Sequence, residues 1–338
     1  MWVAVVTYNR RQLLAGCLAA LRAQTVPPDR IVAVDNASTD GTAEWLEHQD
    51  DVDHLRLEQN RGSTGGFAAG IEAALRGGCD WIWLMDDDAE PAPDALERLV
   101  SATGNPSTAA LCPAVVLPDG SIDVKHRGDF RGRPRYLPLE RYAEGASLGF
   151  FTWVGPLLRA DAARAAGLPK AELFMWADDY EYSLRMRRQG EIRLIPDSRV
   201  VHRERRYENR RSRFWNRLTG WDLDPSPLDV FWRNLCGIRN YIWLKRHYEH
   251  QSALSAAGTT AQFMLKALLY DERPLRRLPL ILAAARDGRR GTFGTITPER
   301  WGRSHSRAIR DRPGAAIAAA NDPVGRSESG RGSRRARR

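Results

Sequence analysis

Four short apolar runs, each ending in polar residues and each separated from the next by a stretch with helical spacing, constrain this chain more than any other feature. WVAVVTY, RIVAVDN, HLRLEQN and DWIWLMD read as β-strands, being short, rich in β-branched and aromatic residues and bounded by polar or glycine-rich sequence. Between them RRQLLAGCLAALRAQ, TAEWLEHQ and GGFAAGIEAALRG carry apolar residues at helical intervals. Strand and helix in alternation imply an α/β fold with a mostly parallel sheet and helices on both faces. Residues from about Met1 to Ala89 therefore read as a Rossmann-like start. With 338 residues, 43% of them hydrophobic, the chain can bury a sizeable core.

Open α/β sheets bind ligands beyond the carboxyl ends of their strands. Polar residues fall at those ends here: Thr7, Tyr8 and Asn9; Asp35 and Asn36; Asn60 and Arg61; and Asp86, Asp87 and Asp88. A cap or turn role is the competing reading for Asn36 or Asp40 taken singly, but four clusters on one rim make a site. The acidic run is the most informative of them. Three adjacent carboxylates repel one another unless a cation or a set of donors compensates. Asp86 and Asp88, one residue apart, can point to the same side and share a hard divalent cation, which could in turn hold a diphosphate. A solvated acidic turn is the bland alternative. No G-x-x-x-x-G-K-[ST] loop occurs, and the glycine-rich NRGSTGGFAAG follows the third strand, so neither a P-loop nor a nicotinamide site is indicated.

PDALERLVSAT reads as a helix, and a Gly/Pro/Arg-rich stretch from about Pro118 to Gly145 reads as a long loop or hairpin over the site. GFFTWVGPLLRADAARAAGLP supplies a further strand and helix. A second acidic cluster, Asp178, Asp179 and Glu181, stands at a helix start, where the dipole favours acids. Capping accounts for one acid and does not need three, which leaves a general base acting on an incoming hydroxyl as the functional reading. His202, ending LIPDSRVVH, is open to a structural reading or to a place among metal ligands.

From about Phe214 the composition turns to aromatic and basic helices, which suit either an anionic membrane interface or an ordinary helical domain with a solvated basic face. From about Asn321 the sequence is Gly/Ser/Arg-rich and is expected to be disordered. The division is thus 1–210 for the α/β domain, 211–320 for the helical region and 321–338 for the basic tail. The net charge of +9 favours an anionic partner. No DNA- or RNA-binding motif accompanies it, so nucleic acid is not expected. Four scattered cysteines, Cys17, Cys79, Cys112 and Cys236, indicate neither a zinc knuckle nor a disulfide framework. A strand-like run at the very start and no membrane-length apolar stretch make a cytoplasmic location the expectation.

VAVVTYNR, VDNASTDGT, N-x-G-x-x-G-G, LMDDD, WADDYEYSLR and RVVH stand in the order seen in inverting family-2 glycosyltransferases of GT-A fold. The resemblance covers roughly residues 1 to 205. Within that family the chain is similar to actinobacterial galactofuranosyltransferases, of the shorter initiating type because it begins directly at the first strand, and less so to rhamnosyltransferases. The resemblance implies that Thr7 and Tyr8, with Asn9 beside them, line a nucleobase pocket in which Asp35 accepts from the base. It implies that Asp86, Asp88 and His202 hold Mn²⁺ or Mg²⁺, that Asp87 lies near the ribose, and that Asn60, Gly65 and Gly66 close the donor site. Asp179 would be the catalytic base, with Trp153, Trp176 and Asp178 as sugar or acceptor contacts; core positions are the alternative for the two tryptophans. The implied activity is transfer of galactofuranose from UDP-galactofuranose to a lipid-linked glycan acceptor in cell-envelope synthesis, peripheral on an anionic membrane. A dTDP-rhamnose-dependent transferase, a nucleotidyltransferase (for which TYNRRQ lacks the glycine-rich lysine loop) and a noncatalytic nucleotide-binding or membrane-interaction module are the rival readings.

Overall fold

The computed structural model describes residues 1–130, 134–203, 210–219, 225–228, 230–249, 252–294 and 296. Eleven strands occur among them: β1 (Trp2–Thr7), β2 (Arg30–Asp35), β3 (Val52–Arg56), β4 (Trp81–Asp86), β5 (Ala89–Pro91), β6 (Thr108–Val116), β7 (Arg127–Phe130), β8 (Pro134–Tyr136), β9 (Phe150–Phe151), β10 (Leu157–Arg159) and β11 (Glu191–His202). Helices α1 (Arg11–Arg22), α2 (Thr42–Leu46), α3 (Gly62–Arg76), α4 (Ala95–Val100), α5 (Ala160–Ala166) and α6 (Asp178–Met186) alternate with them, and α7 (Arg210–Thr219), α8 (Phe231–Glu249), α9 (Ala253–Tyr270) and α10 (Pro274–Arg290) follow.

The main sheet has the order β3-β2-β1-β4-β10-β6-β11-β5. Strands β3, β2, β1 and β4 are parallel, as the alternation of elements predicts, but β10 runs antiparallel to both its neighbours and β5 antiparallel to β11. The sheet is therefore mixed in its second half. The two residues between β4 and β5 do not form a hairpin: β5 pairs with β11 at the far edge of the sheet, not with β4. Third-strand pairing with β2 runs from Val52 to Arg56, so β3 starts earlier than HLRLEQN suggests.

Each face of β1 belongs to a different core. Val3 and Val5 meet Leu14, Cys17, Leu18 and Leu21, the buried stripe of α1, while Ala4 and Val6 meet Phe67 and Ile71 of α3. Burying a leucine of this kind stabilises by about 2 kcal/mol. Close approach of α3 to the sheet depends on Gly66, where a Cβ would fall 2.4 Å from Val6 Cγ1. Because β1 leads to β2 on one side of it and lies beside β4 on the other, the strand order reverses between β1 and β4, and a crevice opens at their carboxyl ends.

Of the loop or hairpin expected over Pro118–Gly145, the described residues hold an antiparallel pair, β7 and β8, which joins β9 in a second, three-stranded sheet. Arg127 pins this sheet to the main one from a fully buried position, donating from Nε to Pro113 O (2.9 Å), from Nη1 to His126 O (2.8 Å) and from Nη2 to Val154 O (2.6 Å). Beyond β11, α8 and α10 share a core of Phe231, Trp232, Leu235, Ile238, Ile242, Ile281 and Ala284. No helix among the described residues is long and apolar enough to cross a membrane. The stretch 321–338 lies outside the described residues.

Candidate functional site

Strand β4 carries the apolar run Ile82–Met85 into the sheet and ends at Asp86, so Asp87 and Asp88 fall in the short turn to β5. Strand β11 reaches the same point from far along the chain. Its register on β6 shifts between Ile195 and Arg199, around Pro196, and it then pairs with β5 so that His202 lies opposite Ala89. A proline within a strand is tolerated at such an irregularity. Arg203 N donates to Asp88 O at 2.9 Å, and His202 Nε2 stands 3.2 Å from Asp88 Oδ1. One ligand atom from each of Asp86, Asp88 and His202 lies within 4.8 Å of the others.

Asp87 is turned the other way. Its Oδ2 accepts from Thr7 Oγ1 at 2.8 Å, and its Oδ1 accepts from Arg10 Nη1 at 3.1 Å; the same nitrogen reaches Asp88 Oδ2 at 2.8 Å. Burial raises Asp86, with help from the charge of Asp88, to about 8. Burial also raises Asp87, against the opposing charge of Arg10, to about 6. Burial works in the same direction on Asp88, but His202 and Arg10 outweigh it and hold that carboxyl well below the usual range. One guanidinium and one imidazole thus leave the negative charge incompletely balanced. Two carboxylates and an imidazole nitrogen form a donor set suited to a divalent cation such as Mn²⁺ or Mg²⁺, so the residues fit the metal that the sequence implies.

On the rim toward β2, Asp35 is fully buried; Oδ1 accepts from Ser38 N at 2.8 Å and Oδ2 has no hydrogen-bond partner among the described residues. Asn9, at φ 54°, accepts from Thr39 N at 2.6 Å, and Tyr8 is exposed. Asn36 donates to Gly62 O (2.7 Å) and accepts from Arg61 N (2.8 Å), while Asn60 accepts from Gly62 N (2.9 Å). These two asparagines lock the start of α3, where Gly62 at φ 71° lies so close to Phe174 O that a Cβ would sit 1.9 Å away. Gly65 faces Arg61 and Gly66 faces Val6, both within the packing of α3.

The second acidic cluster begins α6. Asp178 is buried, and its Oδ2 accepts from Thr64 Oγ1 at 2.7 Å and from Trp153 Nε1 at 2.9 Å. Trp153 is itself only 4% exposed, stacked on Phe67 at 4.6 Å, so it offers no open face to a sugar: it orients Asp178, which is likewise turned inward. The expected sugar contacts at Trp153 and Asp178 are thereby corrected to core roles, because two buried donors satisfy a buried carboxylate at lower cost than water would. Trp176 is 50% exposed. Asp179 is less buried than Asp178, accepts from Tyr180 N at 2.8 Å, and is held well above the usual carboxylate range by burial, by Asp178 and by Asp86. The turn before it passes through three left-handed non-glycine residues, Phe174, Trp176 and Ala177, each costing about 1 kcal/mol or more.

Two further residues near the acids are assigned no role from the sequence. Arg10, in TYNRR, directly follows the strand end and is the sort of cation that three acids call for. His126, from the Pro118–Gly145 stretch, packs edge-on against His202 with ring centroids 4.9 Å apart and shares a 2.7 Å hydrogen bond through Nδ1 with Thr152 Oγ1. Nothing local to that stretch signals its place.

Residues 2–166 match the family model described as Glycosyl transferase family 2. The chain is 35% identical over 199 residues to galactofuranosyltransferase GlfT1 of Mycolicibacterium smegmatis, an alignment covering 55% of this chain and 65% of that protein. It is 33% identical over 199 residues to GlfT1 of Mycobacterium tuberculosis, covering 56% and 65%. It therefore spans slightly less than two thirds of the length of these relatives. An N-acetylglucosaminyl-diphospho-decaprenol L-rhamnosyltransferase of M. tuberculosis is 25% identical over 236 residues, covering 59% of this chain and 75% of that protein. Among solved structures, GalNAc-T7 with UDP, GalNAc and Mn²⁺ superposes with a TM-score of 0.56 at 15% identity, over 92% of this chain and 57% of that one. TarS of S. aureus does so with a TM-score of 0.53 at 14% identity, over 87% and 49%. At these identities the likeness is one of fold, and the fold is GT-A.

Proposed function

We propose, from the match of residues 2–166 to the Glycosyl transferase family 2 model and the GT-A fold, that the chain is a metal-dependent inverting transferase. Its donor is UDP-galactofuranose and its acceptor a lipid-linked glycan. The observation that carries the reading is the cluster of Asp86, Asp88 and His202 at the end of β4. The identity to two galactofuranosyltransferases supports the sugar.

Asp86, Asp88 and His202 would hold a divalent cation, which would supply positive charge against the diphosphate of the donor. Asp87, tied to Thr7 and Arg10, lies at the ribose side. Thr7, Tyr8, Asn9 and Asp35, whose buried Oδ2 has no hydrogen-bond partner among the described residues, take the nucleobase, and Asn60, Gly65 and Gly66 lie at the start of α3 beside it. Asp179 removes the proton of the acceptor hydroxyl as that oxygen attacks the anomeric carbon from the face opposite the nucleotide. One displacement inverts the configuration, and no carboxylate nucleophile of the retaining kind is required. Trp176, the exposed aromatic beside Asp179, is the acceptor contact.

Calorimetry of UDP, dTDP and GDP binding, each with and without Mn²⁺, tests this reading. UDP is expected to bind only with the metal. Asp86 is raised to about 8, so below that pH a proton competes with the cation. Mn²⁺ affinity should therefore rise as pH increases from 6 toward 8, by up to roughly tenfold per unit, with release of close to one proton. Preference for dTDP would move the donor to dTDP-rhamnose, a reading that the rhamnosyltransferase relative favours. Metal-dependent UDP binding without transfer to any acceptor would leave a noncatalytic module.

An anionic membrane surface on the cytoplasmic side is the place of action we infer. Along α9, Leu254, Ala257, Gly258, Ala261, Leu265 and Leu268 form an exposed stripe without charge, and the neighbouring helices α7 and α10 expose Phe214, Leu218, Leu275 and Leu282 beside Arg213, Arg217, Arg276 and Arg286. Apolar side chains with a basic rim suit anionic lipid headgroups. Sedimentation with phosphatidylglycerol vesicles but not phosphatidylcholine vesicles is expected; equal recovery in the supernatant with both would refute it.

A further inference from the structure

The turn that delivers Asp179 is built from outside the sheet. Leu173 to Ala177 contains the three left-handed residues, and its carbonyl groups point to helix α8. The two N–H groups of Asn240 Nδ2 are shared among three carbonyl oxygens, Leu173 O (2.8 Å), Met175 O (2.9 Å) and Trp176 O (2.8 Å). Arg239 donates from Nη2 to Leu173 O (2.8 Å) and from Nε to Asn240 Oδ1 (2.9 Å), which fixes which way the amide of Asn240 faces. Both side chains are buried, at 0% and 1% exposure. The same helix touches the segment at two further points. Trp176 lies over Gly237, where a Cβ would come within 2.9 Å of its ring, and Tyr248 donates to Glu181 of α6.

We propose that Arg239 and Asn240 are positioning residues for transfer, holding the strained turn that leads into Asp179 and leaves Trp176 exposed beside it. The inference rests on the reading of Asp179 as base. Helix α8 is then a working part of the catalytic domain, although the sequence divides it from the α/β domain. A small amide suits this role because it serves several carbonyls from one point, which neither an apolar residue nor a carboxylate does. Residues in sparsely populated backbone conformations persist only where their surroundings over-determine them, and the two N–H groups of Asn240 reach three of the carbonyls of this turn.

The test uses the full chain, with Asn240→Ala, Gly237→Ala and Asp179→Asn compared in transfer kinetics, calorimetric UDP and Mn²⁺ binding, and thermal denaturation. Asn240→Ala should lower kcat by about tenfold or more, while UDP affinity in the presence of Mn²⁺ stays within about twofold, since Asp86, Asp88 and His202 are untouched. Gly237→Ala displaces Trp176 and with it the turn, yet improves helix propensity. It should leave the thermal midpoint level or raised while kcat falls several-fold, a split that a merely structural role does not produce. If Asn240→Ala does not fold, Gly237→Ala decides alone. Wild-type kcat in the folded variants, or a loss of UDP binding in step with kcat, would overturn the proposal. Asp179→Asn separates the two readings: persistent transfer there removes the base itself, whereas lost transfer beside normal α8 variants removes only the positioning.

Discussion

Asp179→Asn is expected to lower kcat by about 10²- to 10⁴-fold, the range typical of a positioned general base, while UDP and Mn²⁺ binding stay near wild type. Asparagine keeps the volume and the acceptor that Tyr180 N uses, so the start of α6 should survive. What it cannot do is take a proton. Burial and the charges of Asp178 and Asp86 hold Asp179 well above the usual carboxylate range, which makes it a better base than an exposed aspartate but keeps it protonated at low pH. Wild-type transfer should therefore fall as pH drops through the raised value, and the asparagine variant should lose that acid limb with its activity. Sugar transfer by Asp179→Asn at the wild-type rate, measured on the glycosylated acceptor, would mean that another group takes the proton.

Asp88→Ala carries the second large effect, and it falls on binding. The substitution removes a carboxylate that faces both His202 Nε2 at 3.2 Å and Arg10 Nη1 at 2.8 Å, leaving Asp86 and His202 as the remaining members of the cluster. Loss of a partner outside the ligand shell typically costs 10- to 100-fold in metal affinity, so loss of a ligand should cost about 100-fold or more, roughly 2.7 kcal/mol. UDP binding measured by calorimetry should then respond little to Mn²⁺. Folding is expected to hold, because removing one of three crowded acids relieves repulsion and Arg10 retains Asp87. Undiminished metal-dependent UDP binding would remove Asp88 from the site.

Most of the α/β core was legible in the sequence for a local reason. Val3 and Val5 alternate with Ala4 and Val6 along a strand, and Leu14, Cys17, Leu18 and Leu21 recur along a helix, so each element reveals which of its sides is buried without reference to any other. The polar strand ends were visible for the same reason, and with them the acids Asp86 to Asp88 and Asp178 to Asp179. Less of the second half could be read. The antiparallel β10 and β5 are short, and a pairing direction is a property of two segments that no single segment records. The choice between a sugar contact and a core position for Trp153 was likewise beyond local sequence: Phe67 of α3 stacks on its ring, and Thr64 of the same helix donates to Asp178.

The sequence by itself determined that this chain forms a parallel α/β half with acids gathered at its strand ends, because side-chain periodicity and strand-end polarity act over a few residues. Only the tertiary structure decided what those acids meet. His202 reaches Asp88 through the irregular register of β11 on β6, His126 reaches His202 through a small second sheet anchored by Arg127, and Asn240 reaches the turn before Asp179 from a helix well beyond the α/β core. Each of these meetings depends on strand register and helix docking, which are set by the packing of the whole chain, and so leaves no mark on the local sequence that takes part in it.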